Sequence, residues 1–525
     1  MSDTIDATTL ATWLRDGDEL ALIDVREAGQ FGEGHLFFAT SLPYSRLELD
    51  AGRLIPRQAT RIVAHDGGED RVARVACERL RALGYDNVFV FSGGTRGWAA
   101  SGRPIYKGVN LPSKTFGELV EHVYETPRVS VAELHAMLER GDDVVVLDGR
   151  PFSEYSKMSI PTGTCCPNGE LPYRVDAMVA NPNTKIVVNC AGRTRSILGA
   201  QTLRNFGVPN PVFALENGTQ GWYLADLPLD RGADRKYPPI APDTDLSALQ
   251  ARARSLAERH GVDYVEAETV AGWLADASRS VFLCDVRTPE EFATGSIPAA
   301  QLTPGGQLIQ STDQYVGVRN ARIVVFDSDL VRAPVCASWL AQMGHEVHVL
   351  RQGAEAMLNV PSGPQPRLPA LRSLPPSALL PFLHSGCLLD LRASAQYRKS
   401  HVEGAVWSIR PVVAYFAAAD KPIALLADDA RVAQLAAIDL LEAGATDVRL
   451  VDGGLSACEA AGLALVATPD QPADSERIDF LFFVHDRHEG NKAAARAYLE
   501  WETGLLHQLD EHERASFRLP ASAHR

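Results

Sequence analysis

A short apolar run ending in Asp-x-Arg occurs four times along the chain, and this self-similarity constrains the fold more than any other feature. The copies are Leu22-Ile23-Asp24-Val25-Arg26, Val146-Leu147-Asp148-Gly149-Arg150, Leu283-Cys284-Asp285-Val286-Arg287 and Leu388-Leu389-Asp390-Leu391-Arg392. Each is followed by an aromatic residue, Phe31, Tyr155, Phe292 or Tyr397, and then by a second apolar run opening at Arg61, Lys185, Arg322 or Pro422. From Asp24 to Asp66, Asp148 to Cys190 and Asp285 to Asp327 the interval is 42 residues each time; the fourth copy is shorter, 37 residues from Asp390 to Ala427. A motif repeated together with its interval points to one structural unit used four times.

Within each unit, short β-branched runs alternate with stretches of helical period. Arg71 to Leu83, apolar at Val72, Val75, Ala76, Leu80 and Leu83, is an example of the helical part. That alternation predicts an α/β fold, each copy a small, mostly parallel sheet flanked by helices. A chain of 525 residues is too long for one core, and units of roughly 100 residues are a comfortable size. The expected domains are residues 1–108, 109–232, 263–368 and 369–468. A polar, Pro-containing linker at 233–262, with a helix from Leu246 to His260, is expected to separate two tandem pairs. The tail, 469–525, opens on an apolar run, Ile478 to Val484, and then reads as one amphipathic helix from about Asn491 to Arg514, packed on the body.

Charge and cysteine usage narrow the partners. A formal charge of −15 disfavours a nucleic-acid or anionic-membrane surface, because phosphate binding needs clustered Lys and Arg. It leaves room for a small anionic substrate held by a local pocket of amides and arginines. The N-terminus lacks the basic and apolar regions of a signal peptide, and no apolar run approaches the roughly 20 residues that span a bilayer. The eight cysteines are scattered without paired metal spacing, which favours reduced thiols in the cytoplasm over a disulfide framework. No metal or other cofactor is expected.

The residues just beyond the second apolar run separate the copies. In the second copy they are Cys190-Ala191-Gly192-Arg193-Thr194-Arg195-Ser196. A cysteine at the C-terminal tip of a strand, with a short loop opening a helix, sits where α/β sheets bind ligands. Consecutive amides there can curl into an anion nest, reinforced by the positive end of the helix, and Arg195 adds a permanent charge. All three favour thiolate over thiol.

The pattern resembles the rhodanese family: Asp-x-Arg, a turn of the Ile160-Pro161 type, Val187-Val188 leading into Cys190 and on to Arg195-Ser196, and a late Gly93-Gly94-Thr95-Arg96-Gly97-Trp98 or Asn217-Gly218-Thr219-Gln220-Gly221-Trp222. The resemblance covers about four-fifths of the chain, all but the linker and the tail, and implies four tandem rhodanese-like domains. It further implies that Cys190 accepts a sulfane sulfur as a persulfide and passes it to cyanide or a thiol, with residues 191–196 surrounding the sulfur. Four residues between Cys190 and Arg195 match the sulfur-transferring members; the related phosphatases have one more. Thiosulfate is the expected donor, because Arg193 and Arg195 make the loop cationic, with 3-mercaptopyruvate as the alternative. Arg150 is a further candidate ligand, set against pairing with nearby acids. A carrier that relays persulfide sulfur to a protein acceptor, and a phosphatase-like enzyme, are the competing readings.

The other copies lack the thiol. Asp66 and Asp327 replace it while Arg71 and Arg332 remain, and the fourth copy has Ala427 and a shortened loop. These three are expected to be catalytically silent, the two carboxylates lying in their amide nests as built-in anions. Cys165 and Cys166 are relay candidates set against packing, and Cys77, Cys284, Cys336, Cys387 and Cys458 are expected in the core. His485-Asp486-Arg487-His488-Glu489 reads as a solvated turn that reaches over a domain interface.

Overall fold

The structure, a computed structural model, describes residues 3–241, 244–419, 421–485 and 490–520. Four five-stranded sheets succeed one another along the chain, and each has its strands in the same spatial order, first-fifth-fourth-second-third in sequence. Every pairing within them is parallel. In the second unit the strands are Arg128–Val129, Val144–Asp148, Thr164–Cys165, Lys185–Asn189 and Val212–Leu215. The fourth strand lies centrally, between the second and the fifth. Its apolar residues Ile186, Val187 and Val188 are fully buried, as expected of a strand covered by helices on both faces.

The Asp-x-Arg motif does the same work in all four units. The aspartate ends the second strand, the arginine guanidinium folds back onto its carboxylate, and Nη2 also donates to a backbone carbonyl eight residues on. Those carbonyls belong to Gly34, Met158, Gly295 and Ser400, at 2.6–2.8 Å. The aspartates are 0–1% exposed, so each buried charge is paired and hydrogen-bonded, the condition under which burial is tolerated.

The linker helix, Ser247–Arg259, joins rather than separates. Its stripe Leu249, Ala253 and Leu256 packs against Tyr173 and Phe206 of the second unit and Val331 and Val335 of the third. The second unit accordingly packs on the third, with Trp339 Nε1 donating to Thr202 Oγ1 at 2.8 Å. The first meets the fourth through Arg410, buried against Glu48. The expected division into two tandem pairs is thus corrected: an apolar stripe on the linker had to be covered, and two units share it.

The apolar run that opens the tail ends in a short helix, Phe482–His485, and the stretch expected as one helix is broken into two, Lys492–Gln508 and Glu511–Ala515. Leu509 is extended, and Asp510 caps the second helix through a capping box with Glu513, which satisfies orphan amides that a continuous helix would not expose. Among the described residues, no helix is long and apolar enough to cross a membrane.

Candidate active site

Cys190 comes directly after the central strand Lys185–Asn189, and the helix Thr194–Asn205 begins four residues later. Its backbone is fixed from the neighbouring strand's exit: Thr219 donates to the Cys190 carbonyl from both N (2.8 Å) and Oγ1 (2.7 Å). Gly218, at φ +52, approaches so closely that a Cβ would lie 2.3 Å from that carbonyl. Gly94 and Gly353 stand in the same relation to Asp66 and Asp327, at 2.2 Å. Only a residue without a side chain fits such a contact in the left-handed region. This is what the late glycine motif is for. It was visible in the sequence as a turn, but its role at the site was not.

The loop geometry is clearest where a carboxylate replaces sulfur. Asp66 accepts from the amides of Gly68 (2.8 Å), Asp70 (3.0 Å), Val72 (3.1 Å) and Ala73 (3.3 Å). Asp327 accepts from Leu330 (2.6 Å), Val331 (3.0 Å), Arg332 (2.6 Å) and Ala333 (3.1 Å). In both domains the loop and the first turn of the helix form a cradle of N–H groups around the position that Cys190 occupies in the second, with an anion inside. In the second unit Ser196 donates its hydroxyl to Cys190 Sγ at 3.1 Å. Cys190 is only 2% exposed, yet it lines a cleft of about 720 Å³.

Residues 190–195 all line that cleft, but their side chains divide. Arg195 turns to Glu154, bidentate at 2.9 and 2.7 Å, and reaches Gln307 of the third unit at 3.5 Å. Burial works against its charge; Glu154 and the Cys190 sulfur outweigh it and hold the guanidinium above its usual pKa. Arg193 turns away, to Glu118 (2.8 and 2.9 Å) and Glu121 on the helix Leu111–Tyr124. Its charge is therefore spent on that helix, which corrects the expectation that Arg193 makes the loop cationic. Burial pushes the Glu118 carboxyl up against the opposing pull of Arg193. Thr194 lies against Gly117, where a Cβ would come within 2.7 Å of its methyl. Cation at the cleft mouth comes instead from Lys157 and Arg231, both exposed, neither ion-paired among the described residues. Arg150 lines the cleft while holding Asp148.

Sequence reasoning missed the walls. Beyond the loop, the cleft is lined by Lys114 on the helix Leu111–Tyr124, by Gln307, Gln310 and Gln314 of the third unit, and by Val484, His485, Tyr498 and Glu502 of the tail. The tail thus reaches the domain interface as expected at His485; residues 486–489 of that segment lie outside the described residues. Glu154 carried a signal that went unread: it stands 36 residues before Cys190, as Glu291 stands 36 before Asp327, and Glu291 grips Arg332 as Glu154 grips Arg195. Cys165 and Cys166 are fully buried, and burial pushes the Cys165 thiol up to about 12 and holds that of Cys166 well above its usual value. Both are packed in the interior. Cys77, Cys284, Cys336 and Cys458 are buried, and Cys387 partly so.

Comparison with known proteins gives one family. The model of the Rhodanese-like domain matches residues 6–101, 130–225, 267–359 and 376–461. The crystal structure of thiosulfate sulfurtransferase from Pseudomonas aeruginosa is 39% identical, covers 99% of this chain and 100% of its own, and superposes with a TM-score of 0.91. The uncharacterized protein slr1261 of Synechocystis is 32% identical over 99 residues, 19% of this chain and 54% of that protein's length. The Alr3790 protein of Anabaena is 25% identical over 20% of this chain and 93% of that structure, with a TM-score of 0.19.

Proposed function

The chain belongs to the rhodanese-like domain family, four copies of it in tandem, and from that premise we propose that it is a sulfurtransferase working through a Cys190 persulfide. One observation carries the reading. Cys190 is the single thiol among the four equivalent loop positions, and the same cradle closes around a carboxylate in two sister domains. A cradle that holds an anionic oxygen pair by four amides suits an anionic sulfur equally.

Thiosulfate is the proposed donor. The Cys190 thiolate attacks the sulfane sulfur, the sulfur–sulfur bond of thiosulfate breaks, and sulfite leaves with the electron pair. Lys157 and Arg231 at the cleft mouth draw the dianion in, and Arg195 offsets the charge of the loaded sulfur. A thiol or cyanide then takes the outer sulfur and returns the Cys190 thiolate, a two-step covalent route. Likeness to the Pseudomonas enzyme supports the choice of donor. The loop length, four residues between Cys190 and Arg195, favours sulfur over a phosphoryl group.

The test is intact mass after thiosulfate treatment, then turnover with thiosulfate and cyanide. Wild type should gain one sulfur, and Cys190→Ala none. A gain that persists in the variant would refute the assignment. Loading without any subsequent turnover would turn the protein into a carrier serving a protein acceptor.

A further inference from the structure

The tail helix Lys492–Gln508 lays one carboxylate over the loop that holds Cys190. Glu502 is 2% exposed and lines the same cleft. One oxygen, Oε1, accepts from Lys114 Nζ at 2.7 Å. The other, Oε2, is buried and has no hydrogen-bond partner among the described residues. It lies where a Cβ on Gly192 would come within 2.9 Å of it, so the absent side chain at position 192 is what opens the space. Glu154, the other carboxylate lining the cleft, has both oxygens bonded by Arg195. Docking the tail requires only Oε1, since Lys114 makes that bond. A desolvated carboxylate oxygen with no partner is costly to keep, and it faces the space through which an acceptor must approach the sulfur.

Resting on the sulfur-transfer reading, we propose that Glu502 is the proton acceptor for the incoming thiol in the discharge half-reaction. The acceptor's S–H bond breaks and its proton passes to Glu502 Oε2. The resulting thiolate attacks the outer sulfur of the persulfide anion, Cys190–S–S⁻. The sulfur–sulfur bond breaks, its electron pair stays on Cys190 Sγ as the thiolate, and the outer sulfur leaves bonded to the acceptor as RSS⁻. Glu502 then yields its proton to RSS⁻, which departs as RSSH, so that one thiol and one persulfide exchange a sulfur with no external oxidant or reductant. Loading from thiosulfate involves no such proton, which confines the role to acceptors that arrive protonated.

Glu502→Gln keeps the shape and removes the basicity. The enzyme is loaded with thiosulfate, freed of donor, and discharged in a single turnover at neutral pH. One arm uses 2-mercaptoethanol, protonated there; the other uses 4-nitrothiophenol, already a thiolate. Loss of a general base costs about 10²-fold or more. The variant should therefore load like wild type, discharge to 2-mercaptoethanol about 10²-fold more slowly, and discharge to the nitrothiophenolate unchanged. Its rate with 2-mercaptoethanol should climb with pH towards the thiol's own pKa, and Glu502→Asp should recover part of the loss. Equal slowing of loading and of both thiols would mark Glu502 as structural and overturn the proposal. Unchanged discharge to 2-mercaptoethanol would overturn it too. Failure of the wild type to load would instead strike the sulfur-transfer reading itself, so the two failures are distinguishable.

Discussion

Removing the carboxylate from the third domain's cradle tests the anion-nest geometry without touching the cysteine. In Asp327→Ala the amides of Leu330, Val331, Arg332 and Ala333 lose their acceptor. Three of the four, those of Val331, Arg332 and Ala333, belong to buried residues that water does not reach. At about 1 kcal/mol for each stranded donor, the low end for a buried unsatisfied group, local stability should fall by about 3 kcal/mol. That corresponds to roughly 10²-fold in an opening equilibrium. Hydrogen exchange of residues 330–333 is the suitable assay, because a four-domain chain does not unfold in two states and a global midpoint would blur the effect. Protection at these amides should drop by about 10²-fold in Asp327→Ala. Asp327→Asn should fall in between, since its amide offers one acceptor and turns a donor on the remaining N–H groups. Protection unchanged in Asp327→Ala, or fully kept in Asp327→Asn, would refute the idea that these loops are organised around an anion, and with it the account of Cys190.

Arg195→Ala should slow persulfide loading about 10- to 100-fold, the scale of a lost hydrogen bond to a charged group, and stopped-flow single turnover with thiosulfate measures it; a rate within twofold of wild type would deny Arg195 its role. Gly117→Val should force the helix Leu111–Tyr124 off Thr194, which lies 2.7 Å from the would-be Cβ, at a cost of about 1–3 kcal/mol, visible as faster hydrogen exchange along that helix. Burial raises the Glu513 carboxyl to about 7, against the opposing bond from Tyr106. A raised carboxyl stabilises while protonated, so its contribution is complete below the unfolded value near 4.5 and fades as pH rises through about 7. Limited proteolysis of the tail should accordingly quicken from about pH 5 to about pH 8, and Glu513→Gln should flatten that dependence. Asp327→Cys should stay unmodified by thiosulfate in a mass measurement, because Glu170 and Tyr173 of the second domain engage Arg332 and Asp329 and seal that loop.

Short-range features were legible because their geometry is local. The interval of 42 residues between the Asp-x-Arg aspartate and the loop residue is the length of one structural segment, so it exposed both the repeat and Cys190. The capping pair Asp510 and Glu513, three residues apart, was equally local, and the polar run from Asp510 to Arg514 marks the break in the apolar period. Long-range pairings were not readable. Arg193 and Arg195 are two residues apart and alike in the sequence, and only the position of the helix Leu111–Tyr124 decides that one faces Glu118 and the other Glu154. Glu502 is hundreds of residues from Gly192, and no spacing announces it.

The copies without the thiol are best understood through what they cover. In the third domain, Arg332 is fully buried and held by Glu291 from its own unit and Glu170 from the second. Its loop keeps the cradle, the arginine and the glutamate, but it faces a neighbour instead of a cleft. Asp327 satisfies there the amides that a cysteine would face. The rest of that domain remains in use, because Gln307, Gln310 and Gln314 form one wall over Cys190 and the tail forms another. Here the third domain and the tail close over the C-terminal end of the central strand and set Cys190 in a deep cleft with polar walls.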